Sequence, residues 1–508
     1  MAEMPDWPAG LEREDFPTII HALRFAAERN PEMTAVVCLG ETMTYAELNS
    51  AAATFADQLI ERGISRGDRV ALIAKTSVRL PALIYGVMGA GAHLTMMNPH
   101  FTAREWTPLC EIAQPKLAIC DEDLAESFQS FSDTFGFDVL RNDEIDLHLK
   151  SGDWHEEHMP DGADLGVLLF TGGTTGISKG VPHTHQEILA SLISIEDRWH
   201  TIPGEEVYLT VPPLFHIVGL YHGVYQPVYG CATAIFMPRF DPAETFKLIE
   251  KHKVTIFVAG VPTAYTALLA HPACKKTDFS SLKFAGGGGA PLSEENLNEW
   301  QTVAGVPALE GYGMTEGAPT CTNGINLERK PLSVGRPVFG VQLQIIDVET
   351  GSTEMPVGEP GEIRVRGHHV VSTYFNNEEA NRTAFQDGWL YTGDIAYKDE
   401  DGYVFIVDRS KDMAIVSGFN VFPREIDEVL VTHPGIMEAA AIGIPHPEKG
   451  EVIKAYISLL DGTDLSEDDV ISFCRENLVG YKIPAEIEFR QELPKTPVGK
   501  IDKKQLRT

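Results

Sequence analysis

Positive charge is scarce in this sequence. Forty-one Lys and Arg face 73 Asp and Glu over 508 residues, a formal net charge of −32 at pH 7. That balance argues against nucleic acid or an anionic membrane surface as a general partner. Cysteine is also sparse. Cys38, Cys110, Cys120, Cys231, Cys274, Cys321 and Cys474 are odd in number and show no C-x-x-C spacing. This fits reduced, buried thiols in a cytoplasmic protein rather than a disulfide framework. The first residues, MAEMPDWPAGLERED, are polar and hold no signal-peptide core. The last four, Gln505-Leu506-Arg507-Thr508, match no targeting address. Only Leu80 to Met97 imitates a membrane span. It contains Pro81, three glycines and His93, and reads as a buried helix followed by a strand.

The length exceeds one ordinary domain and suffices for a large core. No internal repeat or low-complexity tract is visible. Thr44-Tyr45-Ala46-Glu47 is a capping box that opens a helix. Leu48, Ala52, Phe55 and Leu59 share one face of that helix, and Gly63 supplies a stop. Arg69 to Ala74 reads as a strand, and a helical pattern follows from Arg79. Pro242 to His252 reads as a helix and Lys253 to Ala259 as the next strand. This alternation predicts α/β layers with buried sheets. After about Arg409 the texture changes. Short strands (Met413 to Val416, Ala439 to Ile444, Ile453 to Leu460) mix with helices from Pro423 and Glu467, as in a compact α+β domain.

The most informative segment is Phe170 to Gly180, FTGGTTGISKG. Its glycines free backbone N–H groups to approach a ligand, its threonines add donors, and Lys179 adds a full charge. The apolar run Leu165 to Phe170 reads as a buried strand that feeds this loop. Such chemistry suits the polyphosphate of ATP. A Walker A loop is excluded, because Ile177 and Ser178 separate Gly176 from Lys179 and Gly180 follows the lysine. Gly176, Ser178 and Gly180 also spell G-x-S-x-G. A nucleophile elbow needs strand, sharp turn and helix, whereas here an extended run, Gly180 to His183, follows. Asn142 to Gly162 reads as a polar linker within the large domain. Its His155-Glu156-Glu157-His158 is not H-E-x-x-H and reads as a solvated loop.

Further motifs follow in order: Glu310-Gly311-Tyr312-Gly313-Met314-Thr315-Glu316, then Tyr391-Thr392-Gly393-Asp394, Asp408-Arg409, and Pro494-Lys495-Thr496-Pro497-Val498-Gly499-Lys500. Together with the loop Thr171 to Gly180, this ordered set resembles the adenylate-forming superfamily. That group includes acyl-CoA synthetases, aryl-CoA ligases, luciferases and the adenylation domains of peptide synthetases. The resemblance spans nearly the whole chain and is strongest to acyl-CoA synthetases. It implies a large N-terminal domain of layered sheets and helices (residues 1–408), a hinge (409–412) and a smaller mobile C-terminal α+β domain (413–508).

The resemblance also assigns roles. Thr171, Gly172, Gly173, Thr174, Thr175, Gly176 and Lys179 would grip the β- and γ-phosphates. Thr315 would contact the α-phosphate, and Glu316 would help hold Mg²⁺, which favours hard carboxylate oxygens. Gly288, Gly289 and Ala290 would line the adenine, and Tyr312, within Glu310-Gly311-Tyr312-Gly313, would stack on it. Asp394 and Arg409 would bind the ribose, since a carboxylate accepts from two hydroxyls. Lys500 would bridge the substrate carboxylate and the α-phosphate as a flexible point charge. Lys503 and Lys504 nearby read as solvated tail lysines. Lys411 matches the hinge, Gly418 the glycine of the pantetheine tunnel, and His216 a histidine beside the acyl pocket. The pattern departs from the family at three places. Glycines precede Ala290-Pro291 where Ser or Ala is frequent. Ile415 stands where some aryl ligases have lysine. His368-His369 replaces a Gly-Pro-type turn.

These features imply an ATP-dependent acid–CoA ligase. It would form an acyl-adenylate and then a thioester, with ATP, Mg²⁺ and coenzyme A as co-reactants. Medium- or long-chain fatty acids are the favoured substrates. An aryl acid–CoA ligase, a stand-alone enzyme loading a carrier-protein phosphopantetheine, and a non-catalytic nucleotide-binding protein are the alternatives. No carrier domain is attached, so CoA is the default thiol. No nucleic-acid partner and no transmembrane segment are expected, and a homodimer stays open.

Overall fold

The computed structural model describes residues 16–147, 153–171, 178–290, 292–409, 412, 414–416, 419–446, 449–460, 462–496 and 499–507. The capping box at Thr44 forms as its sequence requires. Glu47 N–H donates to Thr44 Oγ1 (3.2 Å), and Thr44 N–H donates to Glu47 Oε2 (2.7 Å). The helix Tyr45–Glu61 that follows buries Leu48, Ala52, Phe55 and Leu59. The run from Leu80 is the buried helix Leu80–Gly89 followed by the strand His93–Met96. These two helices pack closely because Gly86 has no side chain. A Cβ there would lie 2.7 Å from Phe55 Cδ1 and 2.8 Å from the Ala52 carbonyl oxygen. Among the described residues, no helix is long and apolar enough to cross a membrane.

The large unit holds three sheets. A nine-stranded sheet runs Arg336–Pro337, Gly317–Thr322, Ala308–Met314, Phe284–Gly288, Ile256–Gly260, Val207–Thr210, Thr233–Phe236, Thr34–Cys38, Glu41–Thr44, with its middle strands parallel. A six-stranded sheet runs Asp138–Arg141, Leu117–Cys120, Arg69–Ile73, His93–Met96, Leu165–Phe170, Gly180–Thr184. Its last pair is antiparallel, and the glycine–threonine loop joins the two strands. A third, antiparallel sheet contains Val341–Ile346, Gly361–Gly367, Trp389–Lys398, Phe385–Gln386 and Val404–Arg409. Apolar faces of the helices and of the first two sheets merge in one core that includes Leu48, Phe55, Val70, Leu83, Leu94 and Val167.

The C-terminal residues build a separate core on a sheet of Phe419–Val421, Ala414–Val416, Gly450–Leu459, Ile436–His446 and Glu486–Phe489. The helices Pro423–Val431 and Glu467–Asn477 lie where the sequence places them. Several boundaries differ: the strands expected from Ala439 and Ile453 start at Ile436 and Gly450. The strand expected from Lys253 starts at Ile256. Lys253 instead caps the helix Pro242–His252 with φ +52°, and its N–H donates to the Ile249 carbonyl. Residues around His155 also do more than a solvated loop requires. Trp154 Nε1–H donates to Asn49 Oδ1 (2.8 Å), and His155 Nε2 lies 3.0 Å from Asp57 Oδ1. No group of three His, Cys, Asp or Glu is placed to hold a metal among the described residues.

Candidate active site

The glycine–threonine loop is closed at its base by its own backbone. Thr171 N–H donates to the Lys179 carbonyl (3.0 Å), and Lys179 N–H donates to Thr171 Oγ1 (3.1 Å). Gly172, Gly173, Thr174, Thr175 and Gly176 lie outside the described residues. The Lys179 ammonium sits 4.4 Å from the centroid of the Tyr374 ring. The Tyr374 hydroxyl donates to Glu316 Oε1 at 2.7 Å. Phe375 N–H donates to the Gly180 carbonyl (2.8 Å), which ties this segment to the strand leaving the loop.

The strand Ala308–Met314 carries Glu310 to Gly313 alongside Phe284–Gly288. Gly288 faces Gly311 in that ladder, and a Cβ on Gly288 would lie 2.6 Å from the Gly311 carbonyl oxygen. The two glycine strands therefore bring bare backbone to one place. Glu310 is buried, and its Oε1 accepts from Leu292 N–H (3.0 Å), just past Ala290. Burial pushes its carboxyl up to about 7. Thr315 and Glu316 are fixed through their carbonyls. His183 Nε2–H donates to the Thr315 oxygen (2.8 Å), and Val371 N–H donates to the Glu316 oxygen (2.9 Å). Tyr312 Oη–H donates to Asp394 Oδ2 (2.5 Å), so the expected base and ribose residues meet. Asp394 is paired with Arg409 in the third sheet.

Lys500 arrives from the other end of the chain on a tight hairpin. Thr496 N–H donates to the Lys500 carbonyl (2.7 Å), and Lys500 N–H donates to Thr496 Oγ1 (3.2 Å). Its side chain reaches Gly289. A Cβ there would lie 2.9 Å from Lys500 Cε and 3.2 Å from Nζ, and Gly289 adopts φ +77°. His216 caps the short helix Ile217–Gly219 through Nδ1, which accepts from Val218 N–H (3.4 Å). Its ring is pushed down to about 4, first by burial and then by the Lys500 ammonium. Residues 216, 289 and 500 thus converge on one space.

Two expectations need correction or completion. Lys503 is not a solvated tail lysine. Its Nζ lies 2.6 Å from Asp427 Oδ2, and both side chains are about four-fifths covered. Lys504 is exposed as expected. The His368-His369 departure has a physical account. His369 is buried, and its Nε2–H donates to the Pro319 carbonyl at 2.6 Å, in the strand that follows Glu316. The seven cysteines are all buried, and none forms a disulfide. Lys411 and Gly418 lie outside the described residues, as does the Arg409 side chain. His183 and Tyr374 escaped sequence reasoning. They act on Thr315 and Glu316 from 132 and 58 residues away, and no local spacing marks such a pair.

The residues fit the groups that the resemblance implies. Glu316 offers a hard oxygen: Oε1 is held by Tyr374, and Oε2 accepts no hydrogen bond from the described residues. Lys179 and Lys500 bring two ammonium groups to a chain otherwise rich in acid, which is what a polyphosphate beside a carboxylate requires.

Comparison with known proteins identifies the family. The family model for AMP-binding enzymes matches residues 23–375, and that for the AMP-binding enzyme C-terminal domain matches residues 425–500. A long-chain-fatty-acid–CoA ligase of Salmonella typhimurium is 33% identical, with 99% of this chain and 96% of that protein covered. ATP-bound MatB from Rhodopseudomonas palustris superposes with a TM-score of 0.90 at 31% identity, covering 97% of this chain and 98% of that one. O-succinylbenzoate CoA synthetase (MenE) from Bacillus subtilis, solved with ATP and magnesium, gives 0.85 at 28% identity, covering 96% and 99%.

Proposed function

We propose that this chain, which belongs to the AMP-binding enzyme family and is an AMP-forming acyl-CoA synthetase, joins medium- or long-chain fatty acids to CoA. In the first half-reaction a carboxylate oxygen attacks the α-phosphate of ATP, and pyrophosphate leaves. In the second, the CoA thiol attacks the acyl carbonyl of the adenylate, and AMP leaves. Both steps bring electron-rich groups together, so placed positive charge and hydrogen-bond donors carry the catalysis.

The convergence of Lys500, Gly289 and His216 supports this reading most directly. Lys500 holds the substrate carboxylate against the α-phosphate. His216, neutral through burial, borders the acid without adding charge. Thr315 contacts the α-phosphate, and Lys179 with Thr171 to Gly176 holds the outer phosphates. Gly288, Gly289, Ala290 and Glu310 to Gly313 line the base with backbone. Tyr312 stacks on the base and donates to Asp394, which receives the ribose hydroxyls with Arg409. Glu316 would hold Mg²⁺, which when bound would neutralise polyphosphate charge. The C-terminal unit then turns about Lys411, withdraws Lys500 and presents Gly418 to the thiol. We place the protein in the cytoplasm, where its cysteines, none in a disulfide, stay reduced, and assembly as a homodimer is part of the proposal.

AMP release with free CoA and a graded series of fatty and aromatic acids tests the reading. Release that rises with chain length supports it. Release with aromatic acids alone moves the assignment to an aryl ligase, and AMP without free thioester moves it to carrier loading.

A further inference from the structure

Lys179 and Glu316 carry opposite charges in one small space, yet no ion pair joins them. Tyr374 stands between. Its ring supports the ammonium at 4.4 Å, and its hydroxyl donates to the carboxylate at 2.7 Å. The residue is only 4% exposed. Its own backbone is clamped on both sides by Asn381, whose Oδ1 accepts from Tyr374 N–H (2.6 Å) and whose Nδ2 donates to the Tyr374 carbonyl (3.1 Å). Phe385 meets its ring edge-on at 5.2 Å between centroids.

We infer that Tyr374 is a positioning residue that keeps the phosphate-holding lysine and the metal-holding carboxylate close but unneutralised. The inference rests on the functional reading above and deepens it. A direct Lys179–Glu316 bridge would consume both groups before nucleotide arrives. An aromatic face attracts an ammonium without taking its charge. A phenol can give one hydrogen bond, which fixes one carboxylate oxygen and leaves the other for a cation. Phenylalanine keeps the spacer and loses the donor; leucine loses both.

The test is nucleotide binding by calorimetry without acid or CoA, in Mg²⁺ and in EDTA. Tyr374→Phe should raise the half-saturating Mg²⁺ about tenfold, the scale of one charge-assisted hydrogen bond, with ATP affinity in EDTA unchanged. Tyr374→Leu should weaken ATP in both conditions, because Lys179 then falls onto Glu316. In a Glu316→Gln background the Phe substitution should add little. Unaltered Mg²⁺ dependence in Tyr374→Phe, or an equal loss in EDTA, overturns the inference. Thermal unfolding of each variant separates misfolding from this effect. Absence of acid-dependent pyrophosphate exchange in the wild type instead defeats the functional reading, and binding reports on Tyr374 independently of it.

Discussion

Lys503 Nζ lies 2.6 Å from Asp427 Oδ2, and this ion pair ties the base of the Lys500 hairpin to the helix Pro423–Val431. Asp427 also accepts from Ala441 N–H (2.5 Å), so one carboxylate joins helix, sheet and hairpin. Burial pushes its carboxyl up to about 6 even with the lysine beside it. Removing the lysine leaves that charge without its main partner. Lys503→Met should cost about 1–3 kcal/mol of stability, since the pair is mostly but not wholly covered. It should also slow adenylation several-fold more than thioester formation. Urea unfolding and separate half-reaction assays check this. Equal slowing of both halves would leave the hairpin's anchoring role unsupported.

Gly289 gives a second prediction. Its φ of +77° disfavours any side chain, and an added Cβ would meet Lys500 Cε at 2.9 Å. The far end of a lysine can move, so the clash is relieved by displacing the ammonium rather than the strand. Gly289→Ala should therefore lower pyrophosphate exchange by about tenfold or more, the scale of a misplaced catalytic charge. Thioester formation from a supplied acyl-adenylate should fall less. A variant with unchanged exchange would show that Lys500 works from elsewhere.

The legible parts of this chain were those encoded locally. A capping box marks its own helix, and a glycine–threonine–lysine loop marks its own chemistry within eleven residues. The strand start at Ile256 is not legible locally, because Lys253 looks like a strand residue but serves as a left-handed cap, a choice made by the preceding helix. The pairs Tyr374–Glu316 and Lys503–Asp427 were invisible for another reason. Each joins residues 58 or 76 positions apart, so only the sheet topology brings them together. The His368-His369 departure is visible in the sequence, but the role of His369 depends on the Pro319 carbonyl, 50 positions away.

Buried histidines make the fold acid-sensitive. Burial pushes His183, His216, His222 and His369 down to about 4, and His185 to about 3. In the unfolded chain each ring binds a proton near pH 6.5. Between these values the unfolded state holds more protons, so stability falls as pH drops from 6.5. The loss is about 2 kcal/mol per ring at pH 5 by linkage. Glu310 and Asp427, held near 7 and 6, act in the opposite direction but are fewer. Unfolding midpoints should drop steeply from pH 7 to pH 5, and His183→Gln should flatten that slope. A pH-independent midpoint across this range would contradict the burial of these rings as neutral groups.

Lys500 and Gly418 should separate the two half-reactions. The Lys500 ammonium stands beside Gly289 and close enough to His216 to lower its proton affinity, so its charge is present in the space proposed for the carboxylate and the α-phosphate. Lys500→Ala removes that charge and should reduce acid-dependent pyrophosphate exchange by about a hundredfold or more, the scale of losing one preorganised electrostatic group. Thioester formation from supplied acyl-adenylate should persist, because in the proposed cycle the lysine is withdrawn before the thiol step. Gly418→Leu should do the reverse if, as proposed, this glycine admits the thiol. Stopped-flow assays of each half-reaction, with adenylate supplied in the second, read both outcomes. If Lys500→Ala stops both halves equally, the ammonium serves the fold of the site rather than the first chemical step.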